Sequence, residues 1–574
     1  MIKKLFPIFN SFDNYNSKTL RQDLWAGLTV GTILIPQGMA YAMLAGVPPI
    51  YGLYAGLIPL IIYATFASST RLSVGPVAVS ALLVIAGISQ LAEPFSAEYI
   101  SLVITAGLLI GVMQFLLSIF RMGFIVNFLS HPVISGFTSA AAIIIVISQL
   151  GDGLGINIPR LPHSLETFKH AFTHISEANL ISAGLCFGSI LLMLIFKKIN
   201  KSIPGPLIVV VIGILLSYFL DLNKYGVDII KDVPDGLPHF KIPEFNLSLF
   251  ERLFPTVLAV TIIGIVESIG IAKALENKHK DHTVKPNQEL FALGISKLIG
   301  SFFQAIPTSG SFSRSAINSN ANGKTVVSSL ITALLIGLTL LFFTSLFYYL
   351  PKSVLAAIIL LAVIGLFDLK EAKYLWRTHK RDFAMMMITF FTTLVFGIEE
   401  GVFTGVVLSI LLVLYRSSKP QIVELGNIPG TEFYRDCKRF IQAEKVEEAL
   451  ILRFDNQLYF GNTTHFKESI NQLVNACKKP IKYLILDASN INEIDSSGLH
   501  VLSDLDQDLK ANNIDLHLCG AIGPVRDQLK LGNLLNEADK HHMRVHECVN
   551  FILTAKHSDN EIICRPTNPM QTNI

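Results

Sequence analysis

A run of small and hydroxylated residues, PTSGSFSRSAIN at Pro307 to Asn318, interrupts hydrophobic sequence near the middle of the chain. The surroundings are too apolar for a soluble protein: of 574 residues, 51% are hydrophobic and 16% are charged, and the mean hydropathy is +0.51. Lipid cannot hydrogen-bond a bare backbone, so an interruption at membrane depth must be buried in protein or line a cavity. Ser311 to Ile317 is therefore expected to begin a short helix whose free N–H groups face that cavity and favour an anion. The alternative is a serine-rich surface loop between two helices.

The apolar spans form two series of seven, and the third element of each series is broken. The first series ends near residue 221 and breaks at Gly75-Pro76, where Pro76 is predicted to be the first residue of a helix. The second series begins at Pro255 and breaks at residues 307–318. Because seven is an odd number, the second series enters the membrane from the opposite side. Broken segments at matching places of two inverted repeats are typical of transporters that bind substrate near mid-membrane. Lys and Arg collect in the loops that this arrangement places in the cytoplasm, which puts both termini there.

The sequence after Lys419 has a different character, because apolar runs alternate with helical segments and predict a small α/β domain. The six cysteines have no CxxC or CxxH spacing and are expected to be free thiols, with neither a metal site nor a disulfide framework. No stretch has the clustered Lys and Arg that nucleic-acid binding requires. The predicted divisions are a cytoplasmic N-terminal segment 1–22, a first inverted transmembrane repeat 23–221, an extracytoplasmic connection 222–251, a second inverted transmembrane repeat 252–416, a linker 417–430, the α/β domain 431–556 and a C-terminal tail 557–574.

Four segments resemble the SulP (sulfate permease) family of anion transporters and channels: PQGMAYAMLAGVPPIYGLYAGL at 36–57, SVGPVAVSAL at 73–82, NQELFALGISKLIGSFFQAIPTSGSFSRSAINSNANGKT at 287–325 and DASNINEIDSSGLHVL at 487–502. The resemblance covers nearly the whole chain. It implies an α-helical polytopic membrane protein with fourteen transmembrane segments, core and gate subdomains, an anion site between two half-helices, and a homodimer. The C-terminal domain resembles a STAS domain, the module shared with bacterial anti-sigma-factor antagonists.

The predicted anion contacts come from the two half-helices and the first span. Backbone amides of the first half-helix, hydroxyls of the second and the positive charge of Arg314 are suited to an anion, and the resemblance implies that a Ser-Arg pair at this place borders the substrate. The alternatives are N-capping by the serines, an arginine that snorkels from a helix end, and a Gln37 that only joins two helices. The predicted substrate-binding residues are Gln37, Val77, Ala78, Ser311, Phe312, Ser313 and Arg314.

Glu267 lies near the middle of the first span of the second series, at the place that Gln37 holds in the first series. A carboxylate beside an anion site repels the substrate unless it is protonated or paired with a cation. Glu267 is therefore predicted to carry the coupling proton. The alternatives are a salt bridge with Arg314 or Lys273, and a ligand for sodium.

In the STAS-like domain, the sequence DSSG at residues 495–498 follows a predicted strand and begins a helix. In the antagonist proteins this motif carries a phosphorylated serine, so the resemblance makes Ser496 a candidate for phosphorylation. N-capping of the helix is the alternative explanation of the serines.

Together these features predict a secondary active transporter of small anions, which takes up sulfate with protons by an elevator-like movement. The alternatives are a C4-dicarboxylate or sodium-coupled bicarbonate symporter, a chloride-type exchanger and, from a different class, a membrane-tethered STAS signalling scaffold. No GxxxxGK[ST] loop is present, so a primary pump is not expected. We expect no enzyme activity, no metal, no cofactor beyond the coupling ion, and a bacterial inner membrane location. The expected partners are a small anion, the lipid bilayer, a second copy of the chain and a cytoplasmic protein that binds the STAS domain.

Overall fold

The computed structural model describes residues 6–12, 15–124, 130–158, 164–199, 204–231, 234–244, 247–535 and 541–558. These residues form two compact units, the membrane unit (Met1–Ser409) and the C-terminal unit (Ile410–Ile574). In the described ranges, eight helices are long and apolar enough to cross a membrane, and three shorter helices are also apolar. Helices are found throughout both predicted repeats, but the number of membrane crossings stays a prediction.

The helices up to residue 418 include the expected spans and three short additions, α6, α7 and α15. They are α1 (Ser17–Leu44), α2 (Pro49–Phe66), α3 (Ala78–Ile88), α4 (Ala97–Ile119), α5 (His131–Ser148), α6 (Leu150–Leu154), α7 (Ser164–Thr173), α8 (Leu180–Ile199), α9 (Gly205–Leu220), α10 (Leu247–His279), α11 (Pro286–Phe302), α12 (Phe312–Asn320), α13 (Val327–Phe342), α14 (Lys352–Ile364), α15 (Leu369–Thr378), α16 (Lys380–Val395) and α17 (Ile398–Ser418).

Helix α1 starts before the apolar sequence does. The apolar run begins at Leu24, but the Asn16 side chain accepts a hydrogen bond from the Thr19 N–H at 2.9 Å and starts the helix at Ser17. The predicted N-terminal segment 1–22 therefore already contains the first turns of α1. Pro36 lies inside the helix without ending it, as transmembrane helices tolerate.

The two broken elements pair with each other. A short strand β1 (Val74–Gly75) precedes α3, a second short strand β2 (Ser309–Gly310) precedes α12, and the two run antiparallel. Helix α3 begins at Ala78, so the prediction that Pro76 is the first helical residue is wrong. Pairing with β2 holds the chain extended there, and Val77 still has φ −137° and ψ 151°.

The helices of the membrane unit pack in two groups. The first group contains eight helices, each of which contacts others of the group: α1, α2, α3, α4, α10, α11, α12 and α13. In the second group, α5 packs on α16, and α8 packs on α9 and α14. Helix α1 also contacts α9 and α14, and α3 contacts α5. All elements that carry predicted site residues of the membrane unit belong to the first group.

The C-terminal unit contains a six-stranded sheet with the strand order β4-β3-β5-β6-β7-β8. Strands β5 to β8 are parallel, whereas β3 is antiparallel to both β4 and β5. The elements are β3 (Ile422–Asn427), β4 (Tyr434–Asp436), β5 (Ala449–Phe454), α18 (Thr463–Asn475), β6 (Tyr483–Asp487), α19 (Ser496–Ala511), β7 (Asp515–Cys519), α20 (Gly523–Leu531), β8 (His541–His542) and α21 (Val545–Ser558).

The linker predicted at 417–430 is largely folded. Helix α17 continues to Ser418 and β3 begins at Ile422, so the α/β domain starts before residue 431. Ser, Pro and Gly residues, which are typical of a linker, lie on both sides of this strand, and Gly426 lies within it. Gly430, with φ +75°, lies in the turn between β3 and β4. Residues 559–574 of the predicted C-terminal tail lie outside the described residues.

Candidate functional site

The N-termini of the two half-helices are brought together by the β1–β2 ladder. Val74 pairs with Gly310 and Gly75 with Ser309. Because the strands are antiparallel, α3 and α12 leave the ladder in opposite directions, and both begin beside it. Two further hydrogen bonds join the segments, from the Ser311 N–H to the Ser73 carbonyl and from the Ser73 N–H to the Ser315 Oγ, each at 2.9 Å.

Arg314, in the first turn of α12, is completely buried at the centre of this arrangement. Its Nη1 donates to the Oε1 of Gln37 at 3.3 Å, whereas its Nε and Nη2 have no hydrogen-bond partner among the described residues. A Cβ atom at Gly75 would lie 3.2 Å from Nη2. A glycine in the first broken element therefore leaves room for the arginine of the second.

The other predicted anion contacts differ in how exposed their side chains are. Gln37, Val77, Ala78 and Ser311 are buried, and the Ser311 side chain caps α12 by accepting a hydrogen bond from the Arg314 N–H at 3.4 Å. Ser311 therefore caps the helix, as the alternative interpretation predicted, and this cap lies next to Arg314. Phe312 and Ser313 are exposed, with 68% of Phe312 accessible, so the start of α12 opens to the outside of the fold.

Glu267 approaches the same place from α10. The neighbouring Ser268 Oγ accepts a hydrogen bond from the Gly310 N–H at 2.8 Å and lies 3.1 Å from the Ser309 Oγ, which holds α10 against β2. The Oε2 atom of Glu267 is buried without a hydrogen-bond partner among the described residues, and its charge interacts with that of Arg314. Lys273, the other predicted partner, pairs with Glu276 at 2.7 Å instead.

Tyr41 is a member of this cluster that the sequence analysis missed. It is buried, and it interacts electrostatically with both Arg314 and Glu267. A signal was present, because Tyr41 follows Gln37 by four residues and therefore lies on the same face of α1.

A second buried arginine shows what a structural arginine looks like in this fold. Arg71 donates to both carboxylate oxygens of Asp281, at 2.6 and 2.5 Å, and its Nε donates to the Gly323 carbonyl at 2.8 Å. These bonds from Arg71 hold the pKa of Asp281, in the loop after α10, well below its usual range. Among the described residues Arg314 has no such carboxylate partner, which leaves its Nε and Nη2 available to an anion.

The arrangement has the chemistry of an anion site. It joins a buried guanidinium with free donors, a hydroxyl cap and the N-termini of two helices, whose first N–H groups and dipoles favour negative charge. A charge-assisted hydrogen bond to such donors is about twice as strong as a neutral one. A small oxyanion satisfies several of them at once.

In the C-terminal unit, Ser496 is the first residue of α19 and is exposed. The N-cap of this helix is Asp495, whose Oδ1 accepts a hydrogen bond from the Gly498 N–H at 2.8 Å. The capping role suggested for the serines is therefore filled by Asp495, and the Ser496 hydroxyl is not required for it.

Comparison with known proteins identifies two families along the chain. The model of the sulfate permease family matches residues 20–389, and that of the STAS domain matches residues 440–548. Sulfate transporter 4.1, chloroplastic, of Arabidopsis thaliana is 37% identical over 97% of this chain and 84% of its own length. High affinity sulfate transporter 2 of Stylosanthes hamata is 33% identical over 93% of this chain and 84% of its own length.

Solved structures show the same architecture. A structure of SLC26A9 covers 98% of this chain and 94% of its own, with 26% identity and a TM-score of 0.89. The transmembrane domain of the cyanobacterial bicarbonate transporter BicA covers 69% of this chain and 98% of its own at 21% identity, with a TM-score of 0.59, and so shares the fold. Both of the curated relatives above are named as transporters. The chain belongs to the sulfate permease family and ends in a STAS domain.

Proposed function

We propose that the protein carries sulfate across the membrane by symport with protons, and that it holds the anion between the N-termini of α3 and α12. The names of the curated relatives support sulfate as the substrate. One observation carries the location of the site: the guanidinium of Arg314 is completely buried, yet two of its nitrogens have no partner among the described residues.

The cost of burying a charge supports this role for Arg314. An ion taken out of water without a partner costs several kcal/mol, which ion pairs and hydrogen bonds offset only when the geometry is good. Gln37 provides one neutral acceptor, and Glu267 acts on Arg314 without a direct ion pair among the described contacts. A bound oxyanion supplies the missing negative charge and the missing acceptors. Its charge-assisted hydrogen bonds to Arg314 therefore contribute to the binding free energy.

Glu267 is the proposed coupling residue. An anion that binds near this carboxylate disfavours its charged form, so the anion and a proton bind better together than separately. By linkage the proton improves anion binding by the same factor, which symport requires. The buried Oε2 atom, which accepts no hydrogen bond from a described residue, is a place for that proton. Sodium is the alternative coupling ion, since carboxylate oxygens also bind it.

An elevator-like movement is the proposed mechanism. The proposed site residues lie on α1, α3, α10 and α12, all of which belong to the first packing group of helices. The β1–β2 ladder ties the two half-helices into that group. A site carried by one group travels with it when that group slides past the other.

We also propose that both termini lie in the cytoplasm and that the chain forms a homodimer. The STAS domain binds a cytoplasmic protein and is phosphorylated at Ser496. No cofactor is needed beyond the coupling ion. The curated relatives are plant proteins, and one is named chloroplastic, so the bacterial inner membrane expected from the sequence gains no support from them.

The test is uptake of labelled sulfate by the purified full-length protein in liposomes. We expect uptake that an inward proton gradient accelerates and that an inward sodium gradient leaves unchanged. Unlabelled sulfate should compete better than bicarbonate or succinate. If only the sodium gradient accelerates uptake, the coupling ion is sodium and not the proton. If bicarbonate or succinate competes better than sulfate, that anion is the substrate. Failure to transport any of these anions would remove the transport function.

A further inference from the structure

A cluster of cysteine and histidine side chains lies at one end of the sheet in the C-terminal unit. His517 and Cys519 are two residues apart on β7, so their side chains are on the same face of the sheet. Cys519 is in register with His542 on β8. Helix α21 packs on β7 and β8 and contributes Cys548 from its first turn. Two strands and a helix thus bring four side chains together.

The geometry of the cluster is compact and largely shielded from water. The ligand atoms of His517, His542 and Cys548 all lie within 4.8 Å of one another, and Cys519 belongs to the same buried cluster as Cys548. Both cysteines are 0% exposed, and His517 is 5% exposed. The packing around them is apolar, with Ile485, Val549 and Ile552 in the same buried cluster.

Two ring nitrogens in the cluster lack partners. The Nδ1 of His517 and the Nε2 of His542 are buried and have no hydrogen-bond partner among the described residues. Leaving a buried polar atom without a partner is unfavourable, so two such nitrogens in one cluster point to a ligand. Imidazole nitrogens and thiolates are the ligands that zinc prefers, whereas magnesium and calcium prefer oxygen.

We propose that this cluster binds a zinc ion, with His517, His542 and Cys548 as ligands and Cys519 completing a tetrahedral set. Zn–S bonds of about 2.3 Å and Zn–N bonds of about 2.0 Å put tetrahedral ligand atoms roughly 3.3–3.8 Å apart. The three ligand atoms, within 4.8 Å of one another, therefore need to close by no more than about 1.5 Å. Four protein ligands leave no open position, so the zinc is structural and fastens β8 and α21 to the end of the sheet.

Sequence spacing could not reveal this site, because its ligands come from two strands and a helix and contain no CxxC or CxxH motif. The expectation that the cysteines form no metal site rested on that spacing alone.

The test measures zinc in the purified full-length protein, prepared with a tag that contains no histidine and dialysed against metal-free buffer. We expect about one zinc per chain by elemental analysis, since structural zinc binds tightly. The variants Cys548→Ser and His517→Ala should lose it. Two matched controls should keep it: His541→Ala, because His541 lies on the opposite face of β8, and Cys437→Ser, which removes a cysteine outside the cluster.

A measurement on the unmodified protein guards against variants that fail to fold. Cobalt added to the metal-free protein should give the visible absorption of a tetrahedral site with two sulfur ligands, and zinc added in equal amount should remove it. The proposal is overturned if the unmodified protein binds no zinc at stoichiometric concentration. It is also overturned if Cys548→Ser keeps full zinc content, or if mass spectrometry finds Cys519 and Cys548 joined as a disulfide.

Discussion

Replacement of Arg314 by alanine separates an anion-binding arginine from a structural one. The change removes two guanidinium nitrogens, Nε and Nη2, which have no described partner, and one 3.3 Å hydrogen bond to Gln37. A hydrogen bond to a charged group contributes about 1.5–3 kcal/mol, so two of them give about 3–6 kcal/mol. The helix N–H groups and water take over part of that contact. We therefore expect sulfate binding to weaken by about 2–4 kcal/mol, or about 30- to 700-fold.

The assay is thermal unfolding of the purified protein at increasing sulfate concentration. Sulfate at about 100 times the Kd of the unmodified protein stabilises it by about 2.7 kcal/mol, whereas a variant that binds about 100-fold more weakly gains only about 0.4 kcal/mol. Without sulfate, Arg314→Ala should unfold at the same or a higher temperature, because an uncompensated buried charge has been removed. Arg314→Lys, which keeps the charge but loses the planar fork, should lie between the two.

Lys273→Ala is the matched control for charge. It removes one cation from α10, but this lysine is 42% exposed and already pairs with Glu276. The Lys273→Ala variant should therefore bind sulfate as tightly as the unmodified protein does. A folded Arg314→Ala variant that binds sulfate within about threefold of the unmodified protein would refute the reasoning, since about 2 kcal/mol corresponds to about 30-fold.

Three further predictions concern coupling, the domain boundary and a structural ion pair. Glu267→Gln should still bind sulfate in the thermal assay, but a proton gradient should no longer accelerate its uptake of sulfate in liposomes. The control Glu276→Gln, on the same helix, should still be accelerated by the gradient. Proton-driven uptake by Glu267→Gln would contradict the coupling role. A chain ended after Lys419, between α17 and β3, should keep sulfate binding at a reduced yield, and a folded truncation that binds no sulfate would favour the signalling-scaffold alternative. Arg71 lowers the pKa of Asp281, so the stability that this pair contributes is present above the ordinary carboxyl pKa of about 4 and is lost as the pH falls below it. Asp281→Asn should lower the unfolding temperature at pH 7 and flatten its decline in acid, and an unchanged pH profile would show that the pair contributes nothing measurable.

Much of the membrane unit could be predicted because its signals are local. Apolar length predicted where the spans lie, and the serine-rich break predicted that a short helix starts near Ser311. The β1–β2 ladder could not be predicted, because it joins segments more than 200 residues apart and pairing of that kind has no local pattern. The start of α3 was misplaced for the same reason, since the ladder keeps Val77 extended after a proline that elsewhere begins helices.

Part of the candidate site could be named from the sequence. Arg314 and Glu267 stood out because an ionisable residue in an apolar span is costly and needs a function. The role of Gly75 appears only in three dimensions, where its missing side chain makes room for a guanidinium from the other repeat. In the C-terminal unit, alternating strands and helices were predicted well, whereas β3 was taken for a linker because Ser, Pro and Gly residues lie around and within it.

The location of the anion is the central claim, and a structure with bound selenate tests it most directly. Selenate is a tetrahedral oxyanion like sulfate, and its selenium can be identified by anomalous scattering. The account predicts a peak within hydrogen-bonding reach of the Arg314 guanidinium, between the N-termini of α3 and α12, and no such peak in Arg314→Ala. Selenate bound away from both half-helices, with Arg314 still lacking a partner, would contradict it.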